Sequence, residues 1–311
     1  MLYFITRRVA QIVPTILAVS LLVFIIFSVV PGTIASSLYA GGKGNSDPKV
    51  IERMNQEFGL DQPVYVRFGE YVWKLAQFDL GSSFRTRQPV VTMINERMWA
   101  TLKLAFAAMM VAVVIGVPLG FIAALKPGSL LDSLTMIGAI SGLSMPQFWL
   151  GLLGMYLFAL TLGWLPSFGY GDGGLRNLIL PALTLGVAPM ALLARTTRAA
   201  VLEVMSADYV RTARSKGMNS FRLVQWHVMR NALVLIITTI GLQFGSMMGQ
   251  AVVIEKLFSW PGMGSLLIDS VALRDIPVVQ GCILVIVLWF LIINTIVDIL
   301  YAVIDPRISH E

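Results

Sequence analysis

Val278–Ile304 reads VVQGCILVIVLWFLIINTIVDILYAVI and carries one charged side chain, Asp298. A run this long and this apolar exceeds the roughly 20 residues that an α-helix needs to cross the hydrocarbon of a bilayer. Exposed to water it would aggregate, whereas in lipid its own helix satisfies every backbone polar group. Working outward, comparable runs occupy Val9–Val30, Ala100–Leu125, Leu134–Leu162, Ile179–Ala200 and Ala232–Ile254, so six spans are expected. The whole chain is 57% hydrophobic and only 13% charged over 311 residues. The expected class is an all-α integral membrane protein. The third run is too long for a straight crossing, and Pro146 inside it removes a backbone donor, so a kink or break is expected there. Pro118 and Pro189 lie mid-span in the second and fourth.

The net charge of +6 would fit a nucleic-acid partner, but its distribution fits membrane topology. Six spans put both termini on one side, and Arg7, Arg8 and Arg307 mark that side as cytoplasmic. The connection between the fourth and fifth spans holds Arg198, Arg211, Arg214, Lys216, Arg222 and Arg230 against Glu203 and Asp208, which agrees. The short loops of opposite polarity carry Arg176 in one and Lys256 and Arg274 in the other. Arg7-Arg8 before an apolar run also describes a secretory signal, but the run is far longer than a signal core. One cysteine, Cys282, and two histidines, His227 and His310, exclude an internal disulfide and any thiol- or histidine-based metal cluster.

The expected organisation is a cytoplasmic end and first helix over 1–31, an extracytoplasmic loop over 32–99, a five-helix core over 100–304 with a cytoplasmic loop at 201–231, and a tail over 305–311. Within the large loop, Leu60-Asp61-Gln62-Pro63 is a helix-start signal. The segment after it interleaves Tyr65, Phe68, Tyr71, Trp73 and Phe78 with Arg67, Glu70 and Lys74. That pattern fits a helix on the membrane surface or under a partner, and equally the core of a small outer cap.

Enzyme signatures are absent from the sequence. Gly41-Gly42-Lys43-Gly44 lacks the spacing that cradles a triphosphate, and no nucleophile has a base at a recognisable spacing. Ion-coupled carriers keep acids near mid-membrane. Here the spans read as nearly free of acids, with Asp298 about two turns before the inner end. A structural ion pair with Arg195 or Arg198 is expected for it. A self-contained channel or secondary transporter is the outside alternative.

The fifth span carries two stripes. Thr239, Gln243, Ser246 and Gln250 fall within one arc, and Gly241, Gly245 and Gly249 within another well over 100° away. The glycines invite close helix packing. The polar arc cannot face lipid cheaply, so it lines a translocation path or forms a hydrogen-bonded seam between helices. Gly116-x-x-x-Gly120 and Gly138-x-x-x-Gly142 are weaker packing signals. Before this span, Asp208-Tyr209-Val210-Arg211-Thr212-Ala213-Arg214-Ser215-Lys216-Gly217 reads as a short basic helix closed by glycine, and Ser220–Arg230 as a second helical stretch.

Arg211-Thr212-Ala213 with Gly217 after it resembles the Glu-Ala-Ala…Gly loop of ATP-binding-cassette importer permeases. Two departures, Arg211 in place of the acid and Met229-Arg230 in place of Leu-Pro, are similar to the dipeptide, oligopeptide, nickel and glutathione permease branch. The likeness runs the length of the chain through FGLDQPVYVRFGEYV (58–72), FDLGSSF (78–84), LGWLPSFGYG (162–171), LILPALTLG (178–186), EKLFSWPGMGSLL (255–267), RDIPVVQG (274–281) and VDILYAVIDPRI (297–308).

The resemblance implies a type I importer permease fold in a bacterial inner membrane. It implies a helix at Asp208–Gly217 that docks on a cytoplasmic ATPase, and a chain that is not itself an enzyme. It implies a related second permease subunit, two ATPases that bind ATP and Mg, and a periplasmic or lipid-anchored binding protein that delivers the solute. Short peptides are the implied cargo, with nickel, glutathione or another small solute as alternatives. No cofactor is expected on this chain.

Overall fold

The computed structural model describes residues 2–29, 62–219, 223 and 228–304. Among the described residues the regular elements are helices: α1 (Leu2–Val29), α2 (Val64–Ala76), α3 (Val90–Val111), α4 (Val117–Leu125), α5 (Leu130–Ser144), α6 (Gln147–Gly154), α7 (Leu175–Ser206), α8 (Asp208–Ser215), α9 (Arg230–Leu257), α10 (Met263–Ala272) and α11 (Ile276–Ile304). A π-helical turn over Ala112–Gly116 joins α3 to α4, and another over Met155–Thr161 extends α6. Five helices are long and apolar enough to cross a membrane, and six if α5 and α6 form one bent span. Val30–Asp61, most of Ser220–His227 and Asp305–Glu311 lie outside the described residues, and with them part of the large loop, most of the second helical stretch and the tail.

The second span starts at Val90 rather than Ala100, because Pro89 opens a helix whose first turns carry Glu96 and Arg97. Pro146 breaks the third, as expected: α5 ends at Ser144, α6 starts at Gln147, and the two meet at 108°.

α7 is the centre of the bundle and packs against α3, α4, α5, α6 and α9. Its approach to the second span is backbone to backbone. A Cβ at Gly116 would stand 2.5 Å from the Met190 carbonyl oxygen, and one at Gly120 would collide with that of Ala194. Small residues at helix contacts allow this proximity. The core beneath is built from Leu104 and Ala108 of α3, Leu185 and Leu193 of α7, and Met247 and Ile254 of α9.

α1 packs at the edge on α11, and α2 leans on α1 through Phe68, whose ring lies 5.3 Å from that of Phe24. No residue of α2 is buried, and Tyr65 and Trp73 are 77% and 69% exposed. α2 is therefore a surface helix and not the core of a cap. The Tyr71 hydroxyl is buried against its inner side, and burial pushes it up to about 12, so it stays protonated at neutral pH. Alternation of the spans places residues 77–89, 162–174 and 258–275 at one end of the bundle, called the outer end after the expectation from the charge pattern. Residues 126–129 and 207–219 lie at the other.

Candidate functional site

At the inner end, α8 forms over Asp208–Ser215 and stops where expected. Gly217 has φ of +80°, the left-handed conformation that a glycine terminator adopts without a Cβ penalty. The Met218 N–H donates back to the Ala213 carbonyl at 3.3 Å, and that of Lys216 to Thr212 at 3.1 Å. Asp208, Tyr209, Arg211, Thr212 and Lys216 are exposed, and Ala213 is half-buried. Among the described side chains of α8, Val210 is the buried one, 1% exposed. Asn231, at the start of α9, donates to the Tyr209 hydroxyl at 2.8 Å. Arg214 lies within α8. The arrangement is a protruding basic helix on a narrow base, with its polar groups presented outward.

In the fifth span, α9, the polar arc is hydrogen-bonded. Gln250 Nε2 donates to Ser246 Oγ at 3.2 Å, and Ser246 Oγ donates to the Gln243 carbonyl at 2.9 Å. The far end of this chain is Gln147, whose Nε2 donates to Gln250 Oε1 at 2.9 Å. Gln147 is the first residue of α6, so the break at Pro146 is what brings it to α9. Sequence reading missed it, although a polar residue directly after a mid-membrane proline is a usable signal. Thr239 stands apart: it is buried and bonds the Leu235 carbonyl of its own helix at 2.8 Å. Gln243, Ser246 and Gln250 are half-buried.

The glycine stripe packs α9 on α11 at two of its three positions. A Cβ at Gly241 would collide with Val297, and one at Gly245 would lie 3.1 Å from Asn294 Oδ1. Gly249 is exposed, with nothing within 4 Å of a Cβ built there. The cause is helical geometry: an i, i+4 stripe turns about 40° per step. By the third glycine it has rotated off the α11 contact.

The expected partner of Arg198 is also different. Its Nε lies 2.5 Å from Asp132 Oδ1 and its Nη2 2.8 Å from Oδ2, a bidentate pair with the first turn of α5. Asp132 is 4% exposed and also accepts from the Gly128 N–H at 2.9 Å. The guanidinium therefore ties α7 to the short α4–α5 connection, and not to Asp298. Arg195 is exposed and Asp298 half-buried.

The outer end contains acids that the sequence reading passed over. Glu255, at the last turn of α9, is 0% exposed. Its Oε1 accepts from Thr101 Oγ1 at 2.6 Å, and its Oε2 from the Gly264 and Ser265 N–H groups at 2.7 and 3.1 Å. Asp275, 3% exposed, accepts from the Ser83 hydroxyl and from the Phe84 N–H at 3.0 Å. Arg85 donates to the Leu273 carbonyl at 3.0 Å, and Trp260 Nε1 to that of Ala100 at 2.9 Å. The stretches FDLGSSF and RDIPVVQG thus meet through Asp275, and Leu80, Met263, Leu266 and Val278 pack them against EKLFSWPGMGSLL in one cap.

Residues 116–310 match the family model described as binding-protein-dependent transport system inner membrane component. Residues 1–105 match that of the N-terminal membrane component of such systems. The chain is 44% identical over 313 residues to a putative peptide transport system permease protein of Brucella abortus (strain 2308), covering 99% of each. It is 44% identical over 311 residues to the glutathione transport system permease protein GsiC of Escherichia coli (strain K12), covering 100% of each. Among solved structures, an inward-facing MetNI methionine ABC transporter aligns with TM-score 0.56 at 16% identity, over 69% of this chain and 97% of that one. An amino acid ABC transporter crystallised with histidines aligns with TM-score 0.53 at 16% identity, over 70% and 95%. The structural likenesses establish the fold.

Proposed function

This chain belongs to the binding-protein-dependent transport system inner membrane component family and is a permease subunit of an ATP-binding-cassette importer; from that premise we propose that it carries short peptides. The observation that carries the cargo is the 44% identity, end to end, to relatives named for peptide and for glutathione transport, glutathione being itself a tripeptide. The complete importer then contains a second, related permease, two ATPases that hold ATP and Mg, and a solute-binding protein. The test is uptake of labelled di- and tripeptides into proteoliposomes holding the reconstituted complex. ATP-dependent uptake competed by peptides and glutathione supports the reading. Uptake that only nickel or a sugar competes would replace the cargo, and no ATP-dependent uptake of any solute would remove the importer reading.

In this reading both termini are cytoplasmic, residues 32–99 are extracytoplasmic, and the core of 100–304 carries the loop of 201–231 to the ATPases. The helix at Asp208–Ser215 docks on an ATPase through Tyr209, Arg211, Thr212, Ala213 and Arg214, with Lys216 and Gly217 closing it. Its exposure, its basic charge and the burial of Val210 alone among its described side chains support this. Cysteine cross-linking from Ala213 to an ATPase in the assembled complex is the expected result.

The arc of Gln243, Ser246 and Gln250, joined by Gln147, lines the solute route where α6 meets α9. A peptide needs hydrogen-bond partners that exchange readily, and carboxamides and hydroxyls offer them without charge. Single cysteines at Gln243, Ser246 and Gln250, in a Cys282→Ala background, should react with an impermeant thiol reagent to an extent that changes with nucleotide state. Cysteines at Gly241 and Gly245 should stay protected. Equal protection of every position in every nucleotide state would make the arc a structural seam only.

A further inference from the structure

Glu255 is an acid buried at the membrane edge without a basic side chain among its hydrogen-bond partners. Its carboxylate is fully hidden, and each oxygen is engaged by a different element: Oε1 by the α3 hydroxyl of Thr101, Oε2 by backbone N–H groups of the first turn of α10. The ten-residue α10 points its N-terminal N–H groups at this charge, which is the favourable polarity. Thr101 completes the set, because its Oγ1 also accepts from the Met263 N–H at 2.8 Å. The backbone is shaped to the carboxylate as well. A Cβ at Gly262 would collide with the Glu255 carboxylate, and one at Gly264 with the α9 backbone at Val252. Trp260, 0% exposed, bonds the Ala100 carbonyl beside it and the Glu255 carbonyl through its own N–H at 2.8 Å.

We propose that Glu255 is a positioning residue that pins the end of α9, the start of α10 and the outer part of α3 into one body, so that α10 travels with the bundle during transport and does not swing as a lid. The geometry favours a fixed joint. Parting α10 from α9 would strand a buried carboxylate and several backbone donors at once, a costly state. An exposed link, Lys256 to Asp269 at 2.5 Å, already spans the same joint from outside and marks where a staple fits.

The inference rests on the importer reading for its readout, which is ATP-driven uptake by the reconstituted complex. Lys256→Cys and Asp269→Cys, in the Cys282→Ala background, are joined by a short bis-methanethiosulfonate applied from outside. Because the joint does not open, the stapled complex should keep uptake within about twofold of the unstapled one. A larger loss, reversed by a reducing agent, would show that α10 swings and would overturn the proposal. Glu255→Gln keeps one oxygen for the N–H groups of α10 but turns its amide onto Thr101, whose hydroxyl can no longer donate there, and uptake should fall by at least about fivefold. The staple should return at least half of what was lost, an outcome that a general folding defect would not give. Glu255→Gln with unchanged uptake, or a loss that the staple does not relieve, would equally overturn it. Should that variant fail to assemble, the staple in the Glu255 complex decides alone. A failure of the importer reading is distinguishable, because the unmodified complex would then show no ATP-driven uptake at all.

Discussion

The two ends of the bundle are built on opposite principles. At the outer end, residues from the 79–89 stretch, α3, α9, α10 and α11 converge on buried acids, and Glu255, Asp275 and Trp260 are each no more than 3% exposed. At the inner end, Val210 is the one buried residue among the described side chains of α8, and Thr212 bonds within its own turn, to the Asp208 carbonyl at 3.0 Å. An eight-residue helix is too short to persist in water on propensity alone. The outer end completes its own packing, whereas the inner end presents an exposed polar surface, which on the proposed reading an ATPase completes. That reading gives a transporter driven from one side a firm frame where solute enters and an open contact where force arrives.

The comparison breaks most easily at Asp275. Asp275→Ala strands the Ser83 hydroxyl and the Phe84 N–H beneath the cap, and should cost about 3–5 kcal/mol. Heat or denaturant unfolding of the purified subunit should show it, and a change below about 1 kcal/mol would mean the cap is not the firm end. Asp132 and Arg198 make the inner end firmer than its loop. Removing either partner should lower the melting midpoint by less than the Asp275 change, and a charge-swapped pair should recover part of it. A double-mutant cycle without coupling between them would dissolve that tie. Gly217→Val tests the open end itself. No described residue lies within 4 Å of a Cβ built there, so the cost is conformational, about 1–3 kcal/mol at φ of +80°. Uptake should fall while the subunit still inserts, and Gly217→Asn should keep most of it. Lys256→Ala is the smallest change, below about 1 kcal/mol, because its pair with Asp269 is about half exposed. A larger loss would place some of the cap's strength on its surface.

How far the fold could be read from the residues depended on whether the cause was local. Apolar length gives a span, a mid-run proline gives a break, and glycine after a basic helix gives a stop, so the spans, Pro146 and Gly217 were legible. The glycine stripe was legible only as far as Gly245, because a helical stripe drifts while a neighbouring helix runs straight. The partners of Arg198 and Glu255 were not legible. Asp132 is 66 residues away and Thr101 is 154, and depth in the membrane ranks candidates without selecting one. Glu255 itself lies one residue past the apolar run that ends at Ile254. The two glycines of Pro261-Gly262-Met263-Gly264 were the clue that a bulky group lay against the next helix start. Gln147 was hidden for the same reason, since its contact with Gln250 exists only once the chain has turned at Pro146.

That turn has a mechanical meaning. A straight helix displaces the same area of lipid at every depth, but a span folded through 108° does not, because its second limb runs sideways to the first. The first limb, fifteen residues long, rises about 22 Å and falls short of the roughly 30 Å of hydrocarbon. The area that this span occupies therefore varies with depth. Any opening or closing of the bend changes the area it occupies within a layer of the bilayer, and so does work against the lateral pressure there.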